Sequence, residues 1–130
     1  MRVVLIAAAT GLALAMPAHA LDLNAYRRAH HRPPLHHSGA LTAAARAHAR
    51  DMARREHLDH DGFYDRMGPF SSTAAENVAY GCKTQSCAIE MWARSAGHRR
   101  NMLMRGVTRY GIASARSGKG RVYWVLELGN

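Results

Sequence analysis

Apolar residues recur every three or four positions in the first half of the chain, a spacing typical of amphipathic helices. One such segment runs from about Asp22 to His30 and stops before Pro33-Pro34, because the residue before a proline avoids the helical conformation. A second, longer segment runs from about Ala40 to Glu56, with Ser38 as a plausible N-cap. Its apolar face, which we expect to be buried, is formed by Leu41, Ala44, Ala45, His48 and Met52.

The second half of the chain changes to short β-rich segments. The pattern predicts helices at about 64–67 and 86–95, a further helical turn at 99–104, and strands at about 75–80, 107–115 and 121–128. The last two strands are joined by Ser117-Gly118-Lys119-Gly120, a composition typical of a hairpin. Helices followed by a terminal hairpin predict an α+β fold, with helices packed on a small antiparallel sheet.

The first twenty residues have the features of a secretory signal peptide. Arg2 provides a positive start, an apolar run follows to Met16, and Ala18-His19-Ala20 is a small-x-small cleavage signal. The run is shorter than the roughly 20 residues that a spanning helix needs. We therefore expect residues 1–20 to be removed and residues 21–130 to form a single domain with no transmembrane segment. Such a protein is secreted or periplasmic.

The net charge of the chain indicates which partners to expect, and its two cysteines indicate a cross-link. The chain has a net charge of +9 at pH 7 with histidine neutral, so anionic cell-envelope components are candidate partners. Runs of basic residues with interleaved aromatics do not occur, and we expect no nucleic-acid ligand. In an exported chain, Cys82 and Cys87 favour a disulfide. The alternatives are two free thiols or two ligands of a metal.

Three places along the sequence carry side chains suited to chemistry: His60, Glu76 beside Asn77, and the segment around His98. Two neutral imidazoles and one carboxylate suit Zn²⁺ and leave a coordination position open for water or substrate. A carboxylate can also orient an imidazole by hydrogen bonding with no metal present. The sequence leaves both readings open, so His60, Glu76 and His98 are candidate ligands of zinc or another divalent metal.

These side chains lie in motifs that occur together in one family. In chain order the motifs are Leu58-Asp59-His60, Glu76-Asn77-Val78-Ala79-Tyr80-Gly81, Trp92-x-x-Ser95-x-x-His98-Arg99-x-Asn101, Tyr110-Gly111-Ile112-Ala113 and Tyr123-Trp124-Val125-Leu126. In this order and approximate spacing, the chain resembles the CAP superfamily of cysteine-rich secretory and pathogenesis-related proteins, in its short bacterial form. The resemblance covers essentially the whole of residues 21–130.

The resemblance implies an α-β-α sandwich with a cleft lined by a tetrad of two histidines and two glutamates. His60 and His98 match the histidines and Glu76 matches the first glutamate, whereas Ser95 stands where the second glutamate is expected. The residues of the same motifs that we expect to support the cleft are Asn77, Trp92, Ser95 and Asn101.

The family resemblance also suggests functions, since similar members bind sterols, fatty acids or other lipids, and some bind divalent metal. We therefore predict a secreted, non-enzymatic binding module for a lipid, a sterol or a divalent metal ion. One alternative is a hydrolase of peptide or cell-wall substrates that uses a metal, or Ser95 with His98. Another is an envelope or host-interaction protein with a vestigial cleft. The apolar residues that are candidates to line a groove are Phe63, Tyr64, Met67 and Phe70.

Overall fold

Helices cover both faces of a four-stranded sheet in the computed structural model, which describes residues 21–130. The predicted signal peptide, residues 1–20, lies outside the described residues. The helices are α1 (Leu23–Ala29), α2 (Gly39–Arg55), α3 (Phe63–Met67), α4 (Gln85–Ala93) and α5 (Ala96–Met102). The strands are β1 (His36–His37), β2 (Ala74–Tyr80), β3 (Arg109–Arg116) and β4 (Val122–Gly129).

The ends of the helices follow from their capping residues. Ser38 caps α2 as predicted, because its hydroxyl accepts a hydrogen bond from the backbone N–H of Leu41 at 3.2 Å. Asp22 caps α1 and Thr84 caps α4 in the same way.

No helix within residues 21–130 is long and apolar enough to cross a membrane.

The sheet has the strand order β1-β3-β4-β2, which leaves β2 at one edge. Strand β4 pairs antiparallel with both β2 and β3, and the predicted hairpin of β3 and β4 is confirmed. The sheet is mixed rather than purely antiparallel, since β1 pairs parallel with β3 through His36 opposite Arg109. A strand of two residues carries no alternating pattern, so the sequence did not reveal β1.

Two apolar cores lie on opposite faces of the sheet. On one face, Ala45, Ala49 and Met52 of α2 pack against Val78 and Val125. On the other face, residues of α1, α4 and α5 pack against β2 and β4; the largest of them are Leu23, Trp92, Met102, Leu126 and Leu128. All eight residues of β4 are buried, which explains its nearly continuous apolar sequence. The predicted α+β fold with helices on the sheet is confirmed.

Helix α2 lies very close to β3 at Gly111. A Cβ atom added at Gly111 would lie 2.1 Å from the backbone N of Thr42 and 2.2 Å from the carbonyl C of Leu41. Because these are backbone atoms near the start of α2, no rotamer change relieves the overlap. Glycine at this position therefore allows the helix and the sheet to approach each other.

The disulfide predicted from the sequence is confirmed between Cys82 and Cys87, whose Cα atoms are 5.5 Å apart. It ties the segment after β2 to the first turn of α4. We expect the Cys82→Ser/Cys87→Ser variant to lose about 2 kcal/mol of unfolding free energy, since the bond closes a short loop in the unfolded chain. Urea denaturation with and without a reductant checks this. Reductant should destabilise the natural protein alone, and an equal response of both proteins would contradict the prediction.

Candidate functional site

The free edge of β2 is covered by the side chains that the sequence predicted as cleft support. Trp92 donates from its indole Nε1 to the carbonyl of Val78 at 3.0 Å. Asn101 donates to the carbonyl of Glu76 at 3.3 Å and to Oδ1 of Asn77 at 2.9 Å. These bonds satisfy outward-facing carbonyls that an edge strand would otherwise expose, and they attach α4 and α5 to the edge.

The Glu76 carboxylate is held between His60 and Arg66. Its Oε1 lies 2.7 Å from Nδ1 of His60, and its Oε2 accepts a hydrogen bond from Nη2 of Arg66. The Glu76 side chain is 2% exposed, whereas the His60 side chain is 55% exposed. The imidazole is therefore the part of this group that meets solvent, and the carboxylate behind it fixes the orientation of the ring.

A second buried glutamate completes the charge network. Glu127 lies directly opposite Glu76 in the β2–β4 register and is fully buried, and its Oε1 accepts a hydrogen bond from Nε of Arg66 at 2.9 Å. Arg66 is itself well buried, with 13% of its side chain exposed. One guanidinium thus bridges two carboxyl groups inside the fold.

Burial, followed by the hydrogen bond and charge of Glu76, raises the pKa of Glu127 to about 9, although Arg66 acts in the opposite direction. Burial also disfavours ionisation of Glu76. Hydrogen bonds to Glu127, Arg66 and His60 outweigh that cost and lower the pKa of Glu76 below its ordinary value. Glu127 Oε2 is buried and has no hydrogen-bond partner among residues 21–130, which adds to the cost of ionising this carboxyl group. At neutral pH the network therefore contains one guanidinium cation and one carboxylate anion.

Two further histidines lie near this network. His48 of α2 is buried, as its position on the apolar face predicted, and its Nε2 lies 2.9 Å from the carbonyl of Asp59 and 3.8 Å from Oε1 of Glu76. His98 of α5 is half-buried, and its carbonyl accepts a hydrogen bond from Asn77 at 3.0 Å. Burial, followed by the charge of His60, lowers the pKa of His98.

Ser95 does not lie where a serine nucleophile with His98 as its base would have to lie. It is the N-cap residue of α5, and its side chain makes no capping hydrogen bond. No hydrogen bond joins its hydroxyl to His98 among the described residues. The serine and the histidine therefore do not form a nucleophile–base pair in this arrangement.

A cavity of about 250 Å³ lies along β2 beside this network. Its lining residues are His60, Phe63, Ala74, Ala75, Glu76, Asn101 and Met104. A second cavity of about 520 Å³, lined by residues 60–65, shares His60 and Phe63 with the first. Of the apolar residues predicted to line a groove, Phe63 and Tyr64 do so. Met67 is buried in the core and Phe70 lines neither cavity.

The network as arranged does not fit a metal ion. Within residues 21–130, no three or more His, Cys, Asp or Glu side chains are grouped so as to hold one. Both oxygens of Glu76 already have partners, and one of those partners is the cation Arg66. A divalent ion at Glu76 would have to displace that guanidinium. Metal analysis tests the expectation from the sequence that His60, Glu76 and His98 bind a metal ion.

Arg66 and Glu127 are the members of this charge network that the sequence did not predict. Glu127 is the only charged residue in the strand Val122–Gly129, whose other members are apolar or aromatic apart from the terminal glycine. A charged side chain in a fully buried strand needs a partner, so this position was a usable signal. Arg66 carried no comparable signal, since it lies in a polar, turn-rich stretch.

Comparison with known proteins decides the family. The model of the cysteine-rich secretory protein family, CAP, matches residues 22–128. The chain belongs to this family.

One protein similar in sequence comes from a bacterium. The uncharacterised protein YkwD of Bacillus subtilis is 34% identical over 103 residues, and the match covers 73% of this chain and 40% of that protein. The chain therefore matches less than half the length of that relative.

Solved structures share the fold. An outer surface protein from Borrelia burgdorferi superposes with a TM-score of 0.74 at 15% identity, over 83% of this chain and 86% of that one. An extracellular protein containing an SCP domain from Bacillus anthracis superposes with a TM-score of 0.73 at 23% identity, over 83% of this chain and 37% of that one. A cysteine-rich secretory protein from Staphylococcus aureus superposes with a TM-score of 0.66 at 21% identity, over 82% of this chain and 35% of that one.

Proposed function

We propose that this CAP-domain protein is an exported, non-enzymatic binding module that holds one amphipathic lipid, a fatty acid or a sterol, along β2. The observation that carries the proposal is the mixed lining of the cavity there. Ligand sites are mostly apolar, with a few placed polar groups that fix the orientation of the ligand. The apolar lining comes from Phe63, Ala74, Ala75 and Met104, and the polar groups come from His60, Glu76 and Asn101.

The state of Glu76 favours binding over catalysis. A carboxylate that activates water must be free to take a proton, and Glu76 has both oxygens engaged and a pKa below its ordinary value. Its contact with Nδ1 of His60 leaves Nε2 of the exposed ring to meet a hydroxyl or carboxyl group of the ligand. His60 is thus the polar anchor of the proposed site.

The size of the site supports an elongated ligand. The cavity of about 250 Å³ is slightly smaller than common ligand sites, which span roughly 300–1,000 Å³. The adjoining cavity of about 520 Å³ is also lined by His60 and Phe63, so the two cavities lie next to each other at these side chains. An acyl chain or sterol ring that crosses Phe63 would occupy both.

Export is the second part of the proposal. It is supported by the signal-like composition of residues 1–20 and by the similar structures, which include an outer surface protein and an extracellular protein. Finding the processed chain, starting near Leu21, outside the cytoplasm of the producing cell would support it. Recovery of the full chain in the cytoplasm alone would contradict it.

The binding test uses purified residues 21–130 with a fluorescent long-chain fatty acid and a radiolabelled sterol. We expect saturable binding of one of them at one molecule per chain. Phe63→Ala should weaken it about tenfold or more, since it removes a large apolar contact from both cavities. The matched control is Phe70→Ala, because Phe70 is partly exposed and lines neither cavity. No retention of either probe, or equal effects of the two substitutions, would contradict the proposal.

One observation favours a hydrolase as the second candidate. An imidazole held by a carboxylate at 2.7 Å is the arrangement of a general base. Hydrolysis of a peptide or of peptidoglycan by the purified protein, abolished in His60→Ala and His98→Ala, would support it. Activity that survives both substitutions, together with Ser95→Ala, would eliminate it.

A further inference from the structure

A third cavity, of about 420 Å³, lies away from the His60 network and shares no lining residue with the two cavities there. The loop that follows α1 forms one wall, and the residues that precede β3 form the other. Three arginines, Arg27, Arg32 and Arg105, line it together with His31 and His36, and none of its lining residues is acidic. A cavity with this lining is positively charged.

Arg27 is a buried cation that forms no ion pair with any residue the structure describes. The residue is 2% exposed, and its guanidinium donates to the carbonyls of Pro33 at 2.9 Å, Met102 at 2.8 Å and Met104 at 3.2 Å. All three acceptors are neutral. Burial, followed by the positive charge of Arg32, lowers the pKa of Arg27. Within residues 21–130, no carboxylate lies within 4.0 Å of either of these guanidinium groups to offset their repulsion.

The side chain of Arg32 contains a hydrogen-bond donor for which the described residues provide no acceptor. Its Nε is buried and has no hydrogen-bond partner among the described residues. Buried donors are rarely left in this state, because each loses its bonds to water without replacement. Arg32 lines the cavity, and a rotation of its side chain toward an oxygen atom of a bound ligand would give this donor an acceptor.

The loop that carries Arg32 is held in place by its backbone. His31 adopts the left-handed conformation, with φ of 56°, and the backbone N–H groups of His31 and Arg32 donate back to the carbonyls of Arg28 and Arg27. Pro33 and Pro34 then restrict the backbone of the loop, because the ring of a proline fixes its φ angle. The side chain of Asn24 then binds both the N–H and the carbonyl of Leu35, at 2.8 and 2.9 Å. The guanidinium of Arg27 and the backbone of the loop that carries Arg32 are therefore held in place before any ligand arrives, which lowers the entropic cost of binding.

We infer that this cavity, between the loop after α1 and the segment before β3, is a binding site for the phosphate group of a phosphate ester. A phosphate oxyanion presents several acceptor oxygens to donors on different sides, and guanidinium groups bind it with strong, charge-assisted hydrogen bonds. The cavity volume of about 420 Å³ leaves room for the organic substituent of an ester beyond the phosphate itself. The site is independent of the lipid site proposed along β2.

The test measures the melting temperature and the NMR spectrum of residues 21–130 at constant ionic strength. Inorganic phosphate and glycerol phosphate are the soluble probes. Saturable stabilisation is expected, with shifts of the Nε–H resonance of Arg32. Arg32→Gln should weaken binding about tenfold or more, because it removes a charge-assisted bond. Arg28→Gln makes the same change of net charge at an exposed position next to Arg27, and it should bind as the natural protein does.

Vesicles of phosphatidylglycerol, compared with vesicles of phosphatidylcholine, identify the source of the phosphate. Binding of glycerol phosphate that is lost in Arg32→Gln assigns the site to a soluble ester. Binding of phosphatidylglycerol vesicles alone, lost in the same variant, assigns it to a lipid headgroup. Absence of binding to all probes would overturn the inference. So would equal losses in Arg32→Gln and Arg28→Gln, which would mean general attraction to a basic surface only.

Discussion

Replacing Arg66 with alanine is expected to lower the unfolding free energy of this CAP domain by about 3–5 kcal/mol at pH 7. The guanidinium bonds Glu76 and Glu127 at once, and its removal leaves two buried carboxyl groups without a cation. An unpaired buried charge is far more costly than an intact pair. Urea denaturation of the natural and variant proteins, followed by tryptophan fluorescence, measures the difference.

The loss should depend on pH, because protonation of Glu76 removes the unpaired charge in the variant. The destabilisation by Arg66→Ala is therefore expected to shrink as the pH is lowered toward 4. Arg54→Ala is the matched control, since Arg54 is 73% exposed and should be almost without effect. A loss below about 1 kcal/mol at pH 7 would show that Arg66 is not the counter-ion of the network.

Replacing Glu127 with glutamine is expected to stabilise the protein at neutral pH, by about 2–3 kcal/mol at pH 7. Glutamine keeps an acceptor for Nε of Arg66 and, unlike glutamate, stays uncharged in the unfolded chain. The ordinary pKa of Glu127 is 4.5, and its raised value in the folded protein is about 9. Between these values the folded state holds a proton that the unfolded state has released.

The sign of the pH dependence follows from that difference. The folded state binds more protons, so the contribution of Glu127 to stability is complete below about pH 4.5 and declines as the pH rises toward 9. The advantage of Glu127→Gln should therefore be negligible at pH 4 and should grow with pH. Glu90→Gln, at a half-exposed position on α4, is the control and should show little pH-dependent difference. Destabilisation by Glu127→Gln at pH 7 would contradict a neutral Glu127.

Most elements of the fold could be predicted because their signals are local. The apolar stripe from Leu41 to Met52 and the cap at Ser38 define α2 to within one residue at each end. The hairpin of β3 and β4 follows from two β-rich segments around a glycine-containing turn. Strand β1 could not be found in this way, because two histidines become a strand only through pairing with β3.

The candidate site was predictable only in part, since a motif gives residues but not their partners. Glu76 and His60 were recognised, and the contact between them at 2.7 Å is the orienting carboxylate–imidazole pair that the sequence left open. The role of Arg66 depends on α3 placing it against two strands, one of them at the far end of the chain. Such long-range neutralisation has no local pattern.

The second glutamate of the network illustrates the same limit of local patterns. The family resemblance directed attention to Ser95, which occupies the position of the second tetrad glutamate but caps α5 without a side-chain hydrogen bond. The glutamate that approaches Glu76 is Glu127, through direct pairing of β2 with β4. Register between strands decides which residues become neighbours, and only the folded chain reveals it.

Zinc analysis of tag-free protein tests whether Arg66 neutralises Glu76 inside the fold and leaves Glu76 to orient His60. Residues 21–130 are incubated with equimolar zinc, passed through a desalting column and measured by mass spectrometry for bound metal. The natural protein is expected to retain no more zinc than His60→Ala or His98→Ala. One zinc ion per chain, lost in both variants, would contradict it.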